Sequence, residues 1–172
     1  MRHYKVKQTS SQQHNHRYGI FILVVLLSIL IAPKTALSQQ ITVAPNLTYT
    51  PQQVITIVVD SLQKNAADDE GIATVFRFAS PGNKSATGPL SRFTQMIKRG
   101  YPDMLNHVGV RYDAIDITGD VAIQAVWLQT QSGAEYGYAF QLGKQRGGMH
   151  EGMWMTDAVV PLGKNKNSGI RI

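Results

Sequence analysis

Near Gly100 the spacing of apolar residues changes from three-and-four to two, and that switch limits what the chain can fold into. Before it, Val54, Ile55, Val58, Val59 and Leu62 fall on one side of a helix. Ile72, Val75, Phe76 and Ala79 repeat the spacing, and so do Leu90, Phe93, Met96 and Ile97. After it, residues 108–117, 121–130, 135–144 and 153–162 alternate or are rich in β-branched and aromatic side chains, with Gly-containing turns between them. A striped helix and a half-apolar sheet each need a cover, and each can supply the other's. The expected fold class is α+β: three N-terminal helices packed on a curved four-stranded antiparallel sheet.

The boundaries of these elements are written in capping chemistry. Thr50-Pro51-Gln52-Gln53 places a hydroxyl at the N-cap, proline at the first helical position and a reciprocating amide three residues on. Asp68 or Asp69 caps a second helix from about Glu70. Pro81-Gly82 ends that helix and Gly88-Pro89 opens the third, so FASPGNKSATGP reads as a helix-to-helix connector. Its glycines and Lys84-Ser85 pair do not make a phosphate loop. That chemistry needs Gly before the Lys and a buried strand before the loop, whereas Asn83 precedes Lys84 and the preceding segment is helical. Residues 101–106 read as a short helical turn.

Ahead of all this, the first seventeen residues carry Arg2, Lys5, Lys7 and Arg17 with no acidic residue, and run into the apolar stretch GIFILVVLLSILIA. This is the layout of an export signal, and Ala36-Leu37-Ser38 predicts cleavage after Ser38. Pro33 and Lys34 cut the apolar run short of the ~20 residues that span a bilayer; an uncleaved anchor over residues 19–32 is the alternative. The expected layout is a signal peptide over 1–38, a linker over 39–49, one domain over 50–162 and a flexible tail over 163–172, in a periplasmic or secreted protein.

Loss of the leader leaves 12 basic against 11 acidic residues, a net charge of +1, so basicity gives no reason to expect a nucleic-acid partner. The chain has no Cys, which removes lipoprotein attachment and disulfides alike. The membrane enters only through the N-terminal segment, should it stay uncleaved.

Helices followed by a β-meander resemble the nuclear-transport-factor-two-like fold, also called cystatin-like, in which a bent sheet wraps a long first helix to form a cone with an apolar mouth. The wording FASPGNKSATGP, then Arg92-Phe93 and Met96, and later GMWMTD at 152–157, is similar to a bacterial and plant family known only as a domain of unknown function, family 4864, of that same superfamily. This resemblance covers Pro51 to about Pro161. It implies the fold and brings no mechanism.

Enzymes of the superfamily place a carboxylate or imidazole base and a hydrogen-bond donor in the cone, so the resemblance directs attention to such residues. Asp113 and Asp116 fall on opposite faces of the first strand. Asp116, sharing a face with Tyr112 and Ala114, is the better base, with Tyr138 as donor; its structural alternative is an exposed carboxylate near a hairpin end. His107 and His150 read as loop histidines, and His150-Glu151 lacks the further ligands a metal needs, so neither metal nor cofactor is expected.

The aromatic residues make a better binding set. Tyr112, Trp127, Tyr138 and Trp154 on predicted strands, with Arg92 at the start of the third helix, are the candidate lining of a pocket for a small apolar ligand. Their structural alternatives are core packing and, for Arg92, a paired guanidinium. The expected function is therefore non-catalytic binding of a small molecule or partner. An isomerase or dehydratase built on Asp116 is the alternative, and pairing of sheets through a patch such as Val126 and Leu128 would give a homodimer.

Overall fold

The structure is a computed structural model describing residues 42–165; the leader, its cleavage site, the alternative anchor and the tail from Lys166 onward lie outside the described residues. Four helices, α1 (Pro51–Gln63), α2 (Glu70–Phe78), α3 (Pro81–Thr87) and α4 (Leu90–Gly100), precede five antiparallel strands. These are β1 (Gly109–Tyr112), β2 (Asp116–Thr118), β3 (Val121–Gln129), β4 (Glu135–Lys144) and β5 (Trp154–Lys164). The fold is α+β, as the change of period requires.

The first helix forms as its sequence dictates. Thr50 Oγ1 accepts from the Gln53 amide at 3.2 Å, and Gln53 Oε1 accepts from the Thr50 amide at 2.9 Å, closing the capping box. Its stripe, Val54, Ile55, Val58, Val59 and Leu62, is buried completely. At the start of α2, Asp69 is left-handed (φ 60°) and caps nothing with its side chain. Instead Asp68 accepts from the Glu70 amide and Asn65 from the Ile72 amide. A Cβ on Gly71 would lie 2.2 Å from the Ser61 carbonyl oxygen, so only glycine lets α2 approach α1 this closely.

Two expectations about the helices need correcting. FASPGNKSATGP is not a bare connector, since Ser80 Oγ accepts from the Asn83 amide at 3.1 Å and Pro81 starts the helix α3, which stops at Gly88 (φ 85°). Ser80-Pro81 repeats the Thr50-Pro51 signature. Leu90 does not join the buried face of α4, which is made by Phe93 and Ile97, because it stands in the first turn beside the exposed Pro89. Lys84, far from any phosphate loop, donates from Nζ to the Arg77 carbonyl at 3.1 Å and sits over the Phe76 ring, and burial lowers its pKa.

The sheet runs β1-β3-β4-β5, with β2 also paired to β3. The single first strand expected over 108–117 is broken at residues 113–115 into β1 and β2, which explains five strands in place of four. Register shifts in the β4–β5 pairing at Gly137/Tyr138 and Gln141/Leu142 are positions where β5 can bend. β5 also continues through Gly163 and Lys164, which were expected in the tail, and the Asn165 amide donates to the Glu135 carbonyl at 2.8 Å.

On β3 the inward face is the even-numbered one. Ala122, Gln124, Val126 and Leu128 are buried opposite Leu142, Phe140, Tyr138 and Tyr136, while Val121 and Ile123 are exposed. Val126 and Leu128 therefore belong to the core and cannot form the dimerising patch. Truncation tests this assignment: Leu128→Ala should cost about 2–5 kcal/mol in urea unfolding, and Ile123→Ala no more than about 0.5 kcal/mol. The reverse ranking would invert the sheet.

Candidate functional site

Where the helices meet β4 and β5, they leave a cavity of about 220 Å³. Its floor is buried and apolar: Val58 and Leu62 from α1, Val75 from α2, Phe93 and Ile97 from α4, and Phe140 from β4. Its rim is formed by Asn83, the exposed Ala86 and Thr87 on α3, Met96 on α4, Tyr101 after it, and Asp157 to Val159 on β5. Among the described residues no Lys, Arg or His lines it.

The sequence around α3 explains why this rim is placed where it is. Ala79 bridges Thr156 in parallel, and the Ser80 amide donates to the Thr156 carbonyl at 2.9 Å, pinning the end of α2 to β5. Asn83 Nδ2 then donates to the Asp157 carbonyl at 3.0 Å, and the Thr87 hydroxyl turns back to the Asn83 carbonyl at 2.8 Å. The side chains of Asn83 and Thr87 are thus engaged within the rim. The Thr156 hydroxyl, in a residue only 4% exposed, has no hydrogen-bond partner.

None of the five residues expected to line a ligand pocket borders this cavity. Trp127 lies on the outer face, its ring over Gly137, where a Cβ would come within 2.7 Å of it. There its Nε1 donates to Asp113 Oδ2 at 2.9 Å, and the Arg111 guanidinium stands 5.2 Å from the ring centre. Tyr112 is on the inner face beside Thr56 and Asp60 of α1; burial raises its pKa, Thr56 offsets part of the rise, and its hydroxyl lacks a well-formed hydrogen bond. Trp154 is half-buried and packs on the core from the start of β5. Arg92 is exposed on α4. Tyr138 stands one ring back, 6.2 Å from Tyr101, which does line the cavity.

The base-and-donor pair is not assembled. Asp116 is exposed and paired with Ile123 on the outer face, whereas Tyr138 is buried on the inner face. The break at 113–115 is the physical reason, because it ends the uninterrupted alternation that would put Asp116 with Tyr112. Burial, with Asp103 next and then Tyr136 and Tyr101, pushes the Tyr138 hydroxyl up to about 12. His107 is not a surface residue: it is buried, its Nδ1 donates to the Met104 carbonyl at 3.0 Å, and its Nε2 has no partner. Among the described residues no group of three or more His, Asp or Glu is placed to hold a metal, and no helix is long and apolar enough to cross a membrane.

The family model for Domain of unknown function (DUF4864) matches residues 48–168, from just before the capping box to just past β5. The chain belongs to that family. No curated protein and no solved structure matches it. The match takes in every element that builds the cavity of this DUF4864 domain, α3 included.

Two measurements check this geometry. Thr156→Val keeps the shape and removes an unpaired buried hydroxyl, so it should raise stability by about 1 kcal/mol in chemical denaturation; a loss of that size would mean the hydroxyl has a partner. Tyr138 is protonated more strongly when folded than when unfolded, where its value is ~10. Its contribution is complete below pH 10 and is lost as pH rises from 10 to 12. Melting curves of Tyr138→Phe should therefore fall less steeply than wild type across that window, with Tyr112 keeping part of the decline.

Proposed function

We propose that this DUF4864 domain is a non-catalytic binding module that takes a small apolar molecule into the cavity between its helices and β4–β5. The observation that carries the reading is the cavity itself, about 220 Å³ with a floor of aliphatic and aromatic side chains. Apolar cavities of about 150 Å³ hold a benzene-sized guest, and most ligand sites run from about 300 Å³ upward. The guest is accordingly small, nearer an alkylbenzene or a short alkyl chain than a sterol.

A sheet covering a long first helix whose apolar stripe is fully buried, with register shifts where β5 can bend, supports the nuclear-transport-factor-two-like cone as its architecture. In that reading the cavity is the mouth of the cone. Export by the N-terminal signal belongs to the same proposal and would place the domain in the periplasm or outside the cell. A homodimer remains a second reading on one observation: Val121, Ile123 and Val160 expose 41%, 47% and 55% of their surface on the outer face. Light scattering that gives a monomer at high concentration would end it.

Propylbenzene or hexanol at a hundredfold excess over Kd should stabilise the domain by about 2.7 kcal/mol, a shift of several degrees in Tm. Ala86→Trp, on an exposed rim position, should plug the mouth and remove that shift while leaving the unliganded Tm in place. A panel of small apolar molecules that never moves Tm would overturn the proposal.

A further inference from the structure

Resting on the reading that the cavity holds a ligand, the outer side of α4 says what kind. Arg92, Met96 and Arg99 are spaced four and three residues apart and form one stripe along the helix. Met96 borders the cavity, and the same residue borders an open surface depression that includes Arg92, Gln95 and Arg99. The two hollows thus meet at one methionine, an unbranched side chain that changes shape at little cost.

The charges around that meeting point are unbalanced. Of the five arginines among the described residues, Arg77, Arg111 and Arg146 each have a carboxylate partner, whereas Arg92 and Arg99 have none. Lys98, on the same helix, is turned away to Asp69 at 2.7 Å. The helix itself has no acidic residue, and the next carboxylate along the chain, Asp103, acts on the Tyr138 hydroxyl and makes no ion pair with Arg99. The Arg92 stem lies against Gly88, where a Cβ would come within 2.9 Å of its Cδ. Among the described residues the cavity's lining has one charged residue, Asp157, and no Lys, Arg or His, whereas Arg92 and Arg99 line the depression that adjoins it at Met96.

We infer that the ligand is an amphipathic organic acid, its apolar body in the cavity and its carboxylate bound past Met96 by Arg92 and Arg99. Guanidinium matches a planar carboxylate with two parallel hydrogen bonds, which an alcohol or amine of the same body cannot accept.

Binding of 4-phenylbutyrate, 4-phenylbutanol and 4-phenylbutylamine to the wild-type domain tests this by calorimetry. The acid should bind about tenfold more tightly than the alcohol at low salt, the worth of a charge-assisted hydrogen bond, and the amine should bind most weakly. Arg92→Gln with Arg99→Gln should erase the preference for the acid while leaving alcohol affinity unchanged, which also shows that the double variant is folded. Equal affinity for acid and alcohol, or an acid preference that survives the double variant, would overturn the inference while the cavity reading stands. Failure of all three compounds to bind would overturn both.

Discussion

The burial of the α1 stripe against the even-numbered face of β3 and β4 is the contact on which the other parts depend. Five side chains of one helix lose all or nearly all of their water there, and burial of residues of this size is worth about 1.5–3 kcal/mol each before entropy is charged against it. Once α1 is seated, Gly71 lets α2 lie against Ser61, Ala79 and Ser80 reach β5, and α3 follows as a short helix across the gap. The cavity is what remains where the later helices bridge from α1 to β5 without filling the space between.

That origin explains its chemistry. Its floor is the far edge of the core and is apolar for the same reason the core is. Its rim is made by α3, which has no buried residue of its own, and by Asp157, which the register shift inserts opposite no partner on β4. The Asn83 amide and the Thr87 hydroxyl there donate to backbone carbonyls, the Thr156 hydroxyl stays unpaired, and the arginines without a carboxylate partner stand on the outer side of α4.

The helices were legible from the sequence because capping boxes and three-and-four spacing are local. The Thr50-Pro51 start and the whole buried stripe of α1 follow from them. The same signature at Ser80-Pro81 was outweighed by the glycine, asparagine and serine that follow, a composition that ordinarily means loop. The pocket was harder to read. On β3 both faces are apolar, with Val121, Ile123 and Trp127 on one and Val126 and Leu128 on the other, so alternation alone cannot say which turns inward. Cross-strand register does say. Gln129 opposes Glu135 around a five-residue connection, which pairs even-numbered residues with even-numbered ones and puts Val126 beside Tyr138. Strand patterning likewise could not reveal the break that sends Asp116 outward, nor that Phe93, Tyr101 and Phe140 would border the hollow in place of Tyr112, Trp127, Tyr138 and Trp154.

A methyl-resolved NMR titration of the domain with propylbenzene measures the central claim most directly. The account predicts shift changes concentrated on Val58, Leu62, Val75, Met96, Ile97 and Val159, which together surround the cavity. Changes centred on Val121, Ile123 and Val160 of the outer face, or none at saturating ligand, would contradict it.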